Sequence, residues 1–102
     1  MVIRVEKKKN FVAMSNYHLK DKSLSLKAKG LLSLILSLPD NWQYNQKGLA
    51  SLSTDGLDSI RSTLKELESH GYVTRKRIRS PEGFLGPMEY TIREIPLGAA
   101  EA

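Results

Sequence analysis

The sequence of 102 residues contains no cysteine, only two histidines, few aromatic residues and no long apolar run. Without cysteine the chain can form no disulfide framework, no thiolate metal site and no thiol nucleophile. The longest apolar stretch, residues 31–38, is interrupted by Ser33 and Ser37 and is far shorter than the roughly 20 residues that span a bilayer. Residues 2–10 (VIRVEKKKN) lack the apolar segment of a signal peptide. We therefore expect a cytoplasmic protein with no membrane partner.

Signs of catalytic chemistry are equally scarce. His18 has Asp21 as its only nearby carboxylate, and His70 falls in the last turn of a predicted helix, where a histidine interacts favourably with the helix C-terminus. The chain has no glycine-rich phosphate loop, no HExxH motif and no paired-carboxylate signature. These absences predict no enzyme, no catalytic residues, no cofactor and no metal site.

The composition is that of an ordinary globular domain, with 40% hydrophobic and 26% charged residues. A chain of 102 residues suits a single domain with its own core. The net charge of +5 is unevenly distributed, because residues 1–30 carry +6, residues 31–71 carry −2 and residues 72–102 carry +1. A basic balance favours a polyanionic partner such as nucleic acid, although a membrane surface or solubility alone would produce it too.

The N-terminal part of the chain predicts a strand, a helical turn and one main helix. Residues 11–14 (FVAM) favour a short strand, and residues 16–20 favour one helical turn. Ser25 is placed to cap a first main helix over residues 26–38. Because this helix is apolar nearly all round, we expect it to pack on several sides in the middle of the domain.

The connection to the second main helix contains two aromatic residues. Pro39 ends the first helix in a turn, and Trp42 and Tyr44 are expected to bridge to the next one. Asn45 is a good N-cap for the second helix. Tyr44 and Leu49 have the spacing of a hydrophobic staple across that cap.

The third main helix has the clearest pattern. Thr54 or Asp55 is expected to cap it, and Gly71 has the position of a left-handed residue that ends a helix in a Schellman motif, with Tyr72 folding back on Leu67. Its apolar residues recur at three- and four-residue steps and form one stripe that we expect to face the core: Leu57, Ile60, Leu64 and Leu67.

Two β-type segments follow, over residues 72–79 and 88–95, joined by a turn-rich tip over residues 80–87. In the second segment Met88, Tyr90 and Ile92 fall on one side, and Pro96 ends it. We therefore predict an α+β winged helix-turn-helix: three main helices, a C-terminal two-stranded β-hairpin wing and a short N-terminal strand. The predicted organisation is a basic lead-in over residues 1–10, the domain over residues 11–96, and a disordered tail or linker start over residues 97–102.

The helix pair over residues 45–71 is where DNA contact is expected. In a helix-turn-helix the second helix enters the major groove, and residues early in it reach base edges. The candidates there are Asp58, Ser59, Arg61 and Ser62, with Lys65 able to reach only a phosphate. Arg61 could contact guanine with two hydrogen bonds. The alternative is that all of these are ordinary solvated residues on an amphipathic helix.

Charge within the same helix argues against a strong groove reader. Acidic side chains beside phosphates cost affinity, and the helix with its cap carries four of them against Arg61 and Lys65. The acidic residues are Asp55, Asp58, Glu66 and Glu68. We therefore expect most of the affinity to come from outside this helix.

The first strand of the wing is the expected source. Arg75, Lys76, Arg77 and Arg79 could follow a phosphate backbone or place an arginine in the minor groove. Strand alternation puts the three arginines on one face and Lys76 on the other. The alternative is that these charges only protect a sheet edge from pairing with other chains. A further phosphate site is expected at the N-terminus of the second helix, at Asn45, Gln46 and Lys47.

Several segments also resemble a known family. They are residues 21–32 (DKSLSLKAKGLL), 36–42 (LSLPDNW), 48–50, 60–68, 71–72 and 89–92. They are similar to the N-terminal winged-helix domain of replication initiators and replisome organisers of Gram-positive bacteria, their phages and mobile elements. The resemblance implies double-stranded DNA as a partner, self-association as a homodimer, and replication proteins that engage a C-terminal region absent from these residues. The chain would then be either a domain of a longer protein or a stand-alone regulator.

A second hypothesis is a protein-interaction or dimerisation module with little DNA affinity. The acid-rich third helix favours it, because many winged helices pack against partners. Phe84, Leu85 and residues 11–14 would then supply the contact.

Overall fold

The computed structural model describes residues 1–6, 10–39 and 45–99, and within them four helices precede one β-hairpin. The elements are α1 (Tyr17–Lys20), α2 (Leu26–Ser37), α3 (Gln46–Ala50), α4 (Leu57–Ser69), β1 (Val73–Arg79) and β2 (Leu85–Ile92). Helices α2, α3 and α4 are the three predicted main helices, and α1 is the predicted helical turn. The α+β fold with a C-terminal wing is confirmed.

The predicted N-terminal strand is wrong. Residues 11–14 form neither helix nor strand, and the side chain of Phe11 is 87% exposed. In the described part of the chain the sheet consists of β1 and β2 alone. A short apolar segment becomes a strand only when a neighbouring strand accepts its backbone hydrogen bonds and a core surface covers its face.

Two of the three predicted helix caps are formed. Ser25 Oγ accepts a hydrogen bond from the Ala28 N–H at 3.0 Å, and Asn45 Oδ1 accepts one from the Gly48 N–H at 2.6 Å. Each satisfies an N–H of the first turn that has no partner within the helix. Helix α2 ends at Ser37, one residue before the predicted end.

The predicted cap of α4 is wrong. Gly56, and not Thr54 or Asp55, occupies the N-cap position, and no side chain caps the helix there. Because α4 begins at Leu57, Asp55 lies one residue too far upstream; its Oδ2 instead accepts from Ser59 Oγ at 3.3 Å.

The core lies where α2, α4 and the start of β1 meet. From the predicted stripe α4 buries Ile60, Leu64 and Leu67, while Leu57 is half-buried. Helix α2 is less enclosed than predicted, because Leu26 in its first turn is exposed. The other buried apolar residues of the core are Leu24, Ala28, Leu31, Leu32, Ile35, Leu49, Tyr72 and Val73.

The predicted Schellman motif ends α4. The Tyr72 N–H donates to the Leu67 carbonyl and the Gly71 N–H donates to the Glu68 carbonyl, both at 3.0 Å. Gly71 has a φ of 84°, which favours glycine. The chain after β2 passes close to it: a Cβ at Gly71 would lie 2.8 Å from the Leu97 carbonyl oxygen. Glycine is therefore required at position 71 for two reasons: the backbone angle φ and the close approach of Leu97.

Tyr72 connects the end of α4 to the loop after α1. Its ring is fully buried, and its hydroxyl donates to Asp21 Oδ2 at 2.7 Å. Hydrogen bonds from the Ser23 hydroxyl and from Tyr72 lower the pKa of Asp21 to about 2. Burial, together with the bond to Asp21, raises the pKa of Tyr72.

The hairpin pairs in one register along most of its length, from Val73 opposite Ile92 to Arg77 opposite Met88. Strand β2 begins three residues earlier and ends three residues earlier than predicted. It begins earlier because the turn is confined to residues 80–84, where Ser80 and Phe84 hydrogen-bond backbone to backbone at 2.9 Å.

An irregularity in β2 follows this register. Arg79 faces Leu85, so β2 has one more residue than β1 between the last two pairs. Gly86 lies in this bulge, where a Cβ would come within 2.8 Å of the Ile78 carbonyl oxygen. Strand β1 is uninterrupted there, so its side chains keep alternating.

Some predicted features lie outside the described residues. They are the turn after Pro39, the bridging positions of Trp42 and Tyr44, the Tyr44–Leu49 staple, and the last three residues of the predicted tail.

We predict that Gly71→Ala destabilises the fold more than Gly83→Ala. Both glycines have φ near +85°, so each alanine adds backbone strain of about 1 kcal/mol. Gly83 has open space around it, whereas Gly71 meets Leu97, so the Gly71→Ala loss should approach about 3 kcal/mol. Urea unfolding of both variants measures this, and equal losses would contradict the close approach of Leu97.

We also predict that the free energy of unfolding falls in two steps as pH decreases. His18 is buried with its Nε2 2.8 Å from Ser33 Oγ, and burial, then the Lys29 charge, lowers its pKa from 6.5. Stability contributed by the neutral ring is present above pH 6.5 and is lost as pH falls toward the lower folded pKa. The second step begins below about pH 4.5, because Glu66 and Asp21 also have lowered pKa values when folded.

Urea unfolding between pH 7.5 and 3 tests these steps. His18→Gln retains a hydrogen-bonding group beside Ser33 but does not titrate, so it should remove the first step. Asp21→Asn should reduce the second step and leave the first intact. A first step that persists in His18→Gln would show that another group causes it.

Candidate nucleic-acid interface

Helices α3 and α4 form a helix-turn-helix pair whose outer surface carries the predicted contact residues. In α4 the side chains of Asp58, Arg61, Ser62 and Lys65 are exposed, and Ser59 is half-exposed. They lie opposite the buried stripe, as a 3.6-residue period requires. The structure thus places these five candidates on one accessible helix face.

Arg61 is held by two neighbours on this surface. Its Nε–H donates to Gln46 Oε1 of α3 at 3.0 Å, and its Nη1 lies 3.7 Å from Asp58 Oδ1. The bond to Gln46 joins the two helices directly. The ion pair with Asp58 is fully exposed on the carboxylate side, and such pairs contribute little.

The serines of α4 have partners within their own helix. Ser62 Oγ donates to the Ser59 carbonyl at 3.1 Å, and Ser59 Oγ donates to Asp55 at 3.3 Å. A hydroxyl rotates readily, so these bonds can be exchanged for a base edge or phosphate. Arg61 is nevertheless the candidate with the longest reach.

The acidic residues in the second half of α4 have internal partners. Glu66 accepts from the Ser25 N–H at 2.8 Å and from Ser25 Oγ at 2.7 Å, and these bonds lower its pKa. Glu68 forms an ion pair with Arg75 of β1. Glu66 and Glu68 therefore take part in contacts that stabilise the fold. The exposed acidic side chains near the N-terminus of α4 are those of Asp55 and Asp58.

The arginines of the wing are not equally available. Arg75 is paired with Glu68, and Arg77 Nη1 donates to the Gly86 carbonyl across the hairpin at 3.2 Å. Lys76 and Arg79 are exposed, and neither has an ion pair among the described residues. The cations most accessible to a new partner on β1 are thus Lys76 and Arg79.

The register of the hairpin places these cations on two faces. Directly opposed residues share a face, so Arg75 lies beside Tyr90 and Arg77 beside Met88. Val73 and Ile92, which pack on the core, continue the same face. Arg75 and Arg77 therefore project on the helix side of the wing, and Lys76 on the other side.

An open groove separates the helix pair from the wing. On one side it is lined by the start of α3 and α4, including all three predicted phosphate-site residues, Asn45, Gln46 and Lys47, and also Arg61. On the other side it is lined by Met88 and Tyr90 of β2. The structure thus brings the α3 terminus, Arg61 and the wing onto one surface.

Met88 and Tyr90 were not among the predicted site residues. Alternation in the sequence places them on one face of a strand, but it does not indicate which helix that face meets. Their position across the groove from α3 depends on the long-range packing of the wing.

The described residues offer no metal-binding cluster, and each histidine has a hydrogen-bonding neighbour. No three His, Asp or Glu side chains among these residues gather to hold a metal ion. His18 is buried against Ser33, and His70 Nδ1 lies 2.9 Å from the Glu66 carbonyl oxygen at the end of α4. None of the helices described is long and apolar enough to cross a membrane.

Comparison with known proteins agrees with this architecture. A family described as a helix-turn-helix domain matches residues 22–73, which extend from the loop before α2 to the first residue of β1. No curated protein and no solved structure matches the chain. Since the family match covers half of the chain and includes α2, α3 and α4, this protein belongs to the helix-turn-helix domain family.

Proposed function

We propose that this protein binds double-stranded DNA with α4 in the major groove and the hairpin wing against the adjacent backbone. The observation that carries the proposal is the open groove that Arg61 on α4 and the N-terminus of α3 share with β2 of the wing, whose other strand, β1, carries exposed cations. A helix of this kind inserts its exposed N-terminal residues among base edges, and flanking cations contact phosphates.

The proposed contacts divide by chemistry. Base edges would be contacted by Arg61, Ser62, Ser59 and Asp58, the last as an acceptor from a cytosine amine. Phosphates would be contacted by the α3 terminus, Lys65 and the wing. The complete proposed set is Asn45, Gln46, Lys47, Asp58, Ser59, Arg61, Ser62, Lys65, Arg75, Lys76, Arg77 and Arg79.

Within the wing, the contributions should be unequal. Arg75 must give up its pairing with Glu68 before it neutralises a phosphate, so its net gain is small. Lys76 and Arg79 have no such pairing among the described residues and are exposed. We therefore assign most of the electrostatic affinity of the wing to Lys76 and Arg79.

The process served would be replication initiation or transcriptional regulation in a bacterium or mobile element. Replication proteins and a second copy of the chain are the further partners proposed, on the resemblance described above. No enzymatic activity is proposed.

A second candidate is a protein-interaction module, favoured by the apolar residues at the hairpin tip. Phe84 and Leu85 are 73% and 63% exposed, and Phe11 is also exposed. Fluorescence anisotropy with a random-sequence duplex at low and moderate salt separates the two candidates. We expect salt-dependent binding; no binding at either salt concentration would favour the protein-interaction module.

The unequal availability of the wing cations gives a sharper prediction. Lys76→Ala/Arg79→Ala should weaken binding and reduce the slope of log K against log salt by about 0.9 for each lost phosphate contact. Arg75→Ala should change the slope much less. Lys20→Ala/Lys22→Ala removes the same charge at the end of α1 and in the loop after it, and serves as the matched control.

The anisotropy titrations are repeated at several salt concentrations for all four proteins. A control variant that flattens the slope as much as Lys76→Ala/Arg79→Ala would show that only net charge matters. A larger slope change in Arg75→Ala would contradict the role assigned to its pairing with Glu68.

A further inference from the structure

We infer that Gln46 is a positioning residue that holds Arg61 as a guanine-reading side chain. This inference rests on the proposed function, because it concerns how the helix pair selects a DNA sequence. The two residues belong to different helices and are joined by the 3.0 Å bond from Arg61 Nε to Gln46 Oε1. Gln46 is the first residue of α3, whose N-cap Asn45 is fixed by its bond to Gly48.

The hydrogen bond from Nε to Gln46 leaves the outer nitrogens of the Arg61 guanidinium available to a base. A guanidinium has five N–H donors in a planar fork, and the Nε–H used by Gln46 is only one of them. The outer Nη1 and Nη2 groups can donate together to guanine O6 and N7, which is the commonest specific contact in the major groove. An arginine that is already held loses less conformational freedom when it makes this contact.

The support for Gln46 is stronger than that for Asp58, the other neighbour of Arg61. Gln46 is half-buried, and its helix is anchored in the core by Leu49. Asp58 is fully exposed and lies at 3.7 Å, a distance and setting in which an ion pair fixes little. Gln46 is therefore the neighbour that can define the direction of the guanidinium.

The side-chain amide of Gln46 also carries an NH₂ group. Arginine only donates, so the oxygen of the amide must face Arg61, and the NH₂ group has no hydrogen bond to any of the described residues. Gln46 lines the groove beside Arg61, where its NH₂ group is suited to a phosphate oxygen. Gln46 would thus couple the position of the backbone to the direction of the base-reading arginine.

The test begins with selection of bound sites from a random duplex library by the unaltered protein. The affinity is then measured for duplexes that carry each of the four base pairs at each selected position. It is also measured for duplexes in which guanine is replaced by 7-deazaguanine, which lacks the N7 acceptor. We expect one guanine whose replacement lowers affinity about 5- to 100-fold. The Arg61→Ala variant should no longer discriminate among base pairs at that position. Its affinity should be the same for duplexes with guanine and with 7-deazaguanine there.

Variants of the neighbours then separate positioning from structural effects. Gln46→Ala should lose most of the discrimination at the same base pair, and it should have no further effect in an Arg61→Ala background. Gln46→Glu should keep the guanine preference, because its carboxylate still accepts from Nε, while binding every duplex more weakly. Asn16→Ala, which removes an exposed side-chain amide beside α1 and outside the proposed contact set, is the matched control and should retain the preference. Thermal unfolding should be unchanged in all four single variants.

Three results would overturn the inference. If Gln46→Ala and Arg61→Ala select the same sites with unaltered discrimination, Arg61 is no base reader, although DNA binding stands. If Arg61→Ala weakens all duplexes equally and lowers the salt slope by about 0.9, Arg61 contacts a phosphate. If the unaltered protein binds no duplex, the proposed function fails as well.

Discussion

The turn at Gly71 and the burial of Tyr72 determine where the wing lies relative to the helix pair. The Schellman hydrogen bonds end α4 and direct the chain into β1, and the Tyr72 hydroxyl fastens this point to Asp21. The chain after β2 returns to the same place, where the Leu97 N–H donates to the Gly71 carbonyl at 2.9 Å. Both ends of the hairpin are held at this point, and these bonds fix the wing beside α4. The groove between the wing and α3 results from this placement.

Electrostatic interactions then decide which parts of that surface are available. The carboxylates of Glu66 and Glu68 are turned inward, one to the cap of α2 and the other to Arg75. They stabilise the packing of α4 and leave its N-terminal half as the part exposed to a partner. The ion pair between Glu68 and Arg75 joins α4 to the wing, and it also makes Arg75 less available to the proposed interface. The proposed interface is therefore smaller than the total charge of the wing suggests: it centres on Arg61 and Arg79, with Lys76 on the outer side of the wing.

Local chemistry in the sequence predicted much of the fold. Ser25, Asn45 and Gly71 act on backbone groups within a few residues, so their roles as caps and terminator could be predicted from the sequence. The boundaries of β2 and the strand at residues 11–14 were predicted wrongly, because strand formation depends on a partner far away in the chain. For the site, the exposed face of α4 followed from its period. The Gln46–Arg61 and Glu68–Arg75 contacts did not, because side-chain pairing between elements is set only when those elements pack.

The central claim is that α4 and the wing form one double-stranded DNA-binding surface. The most direct test is a ¹⁵N-labelled NMR titration with a random-sequence duplex, which reports the contact surface residue by residue. The largest shifts are expected at the start of α3, on the exposed face of α4 and along β1, with small shifts around Tyr17 and Asp21. Shifts confined to the hairpin tip at Phe84 and Leu85, or no shifts on α4, would contradict it.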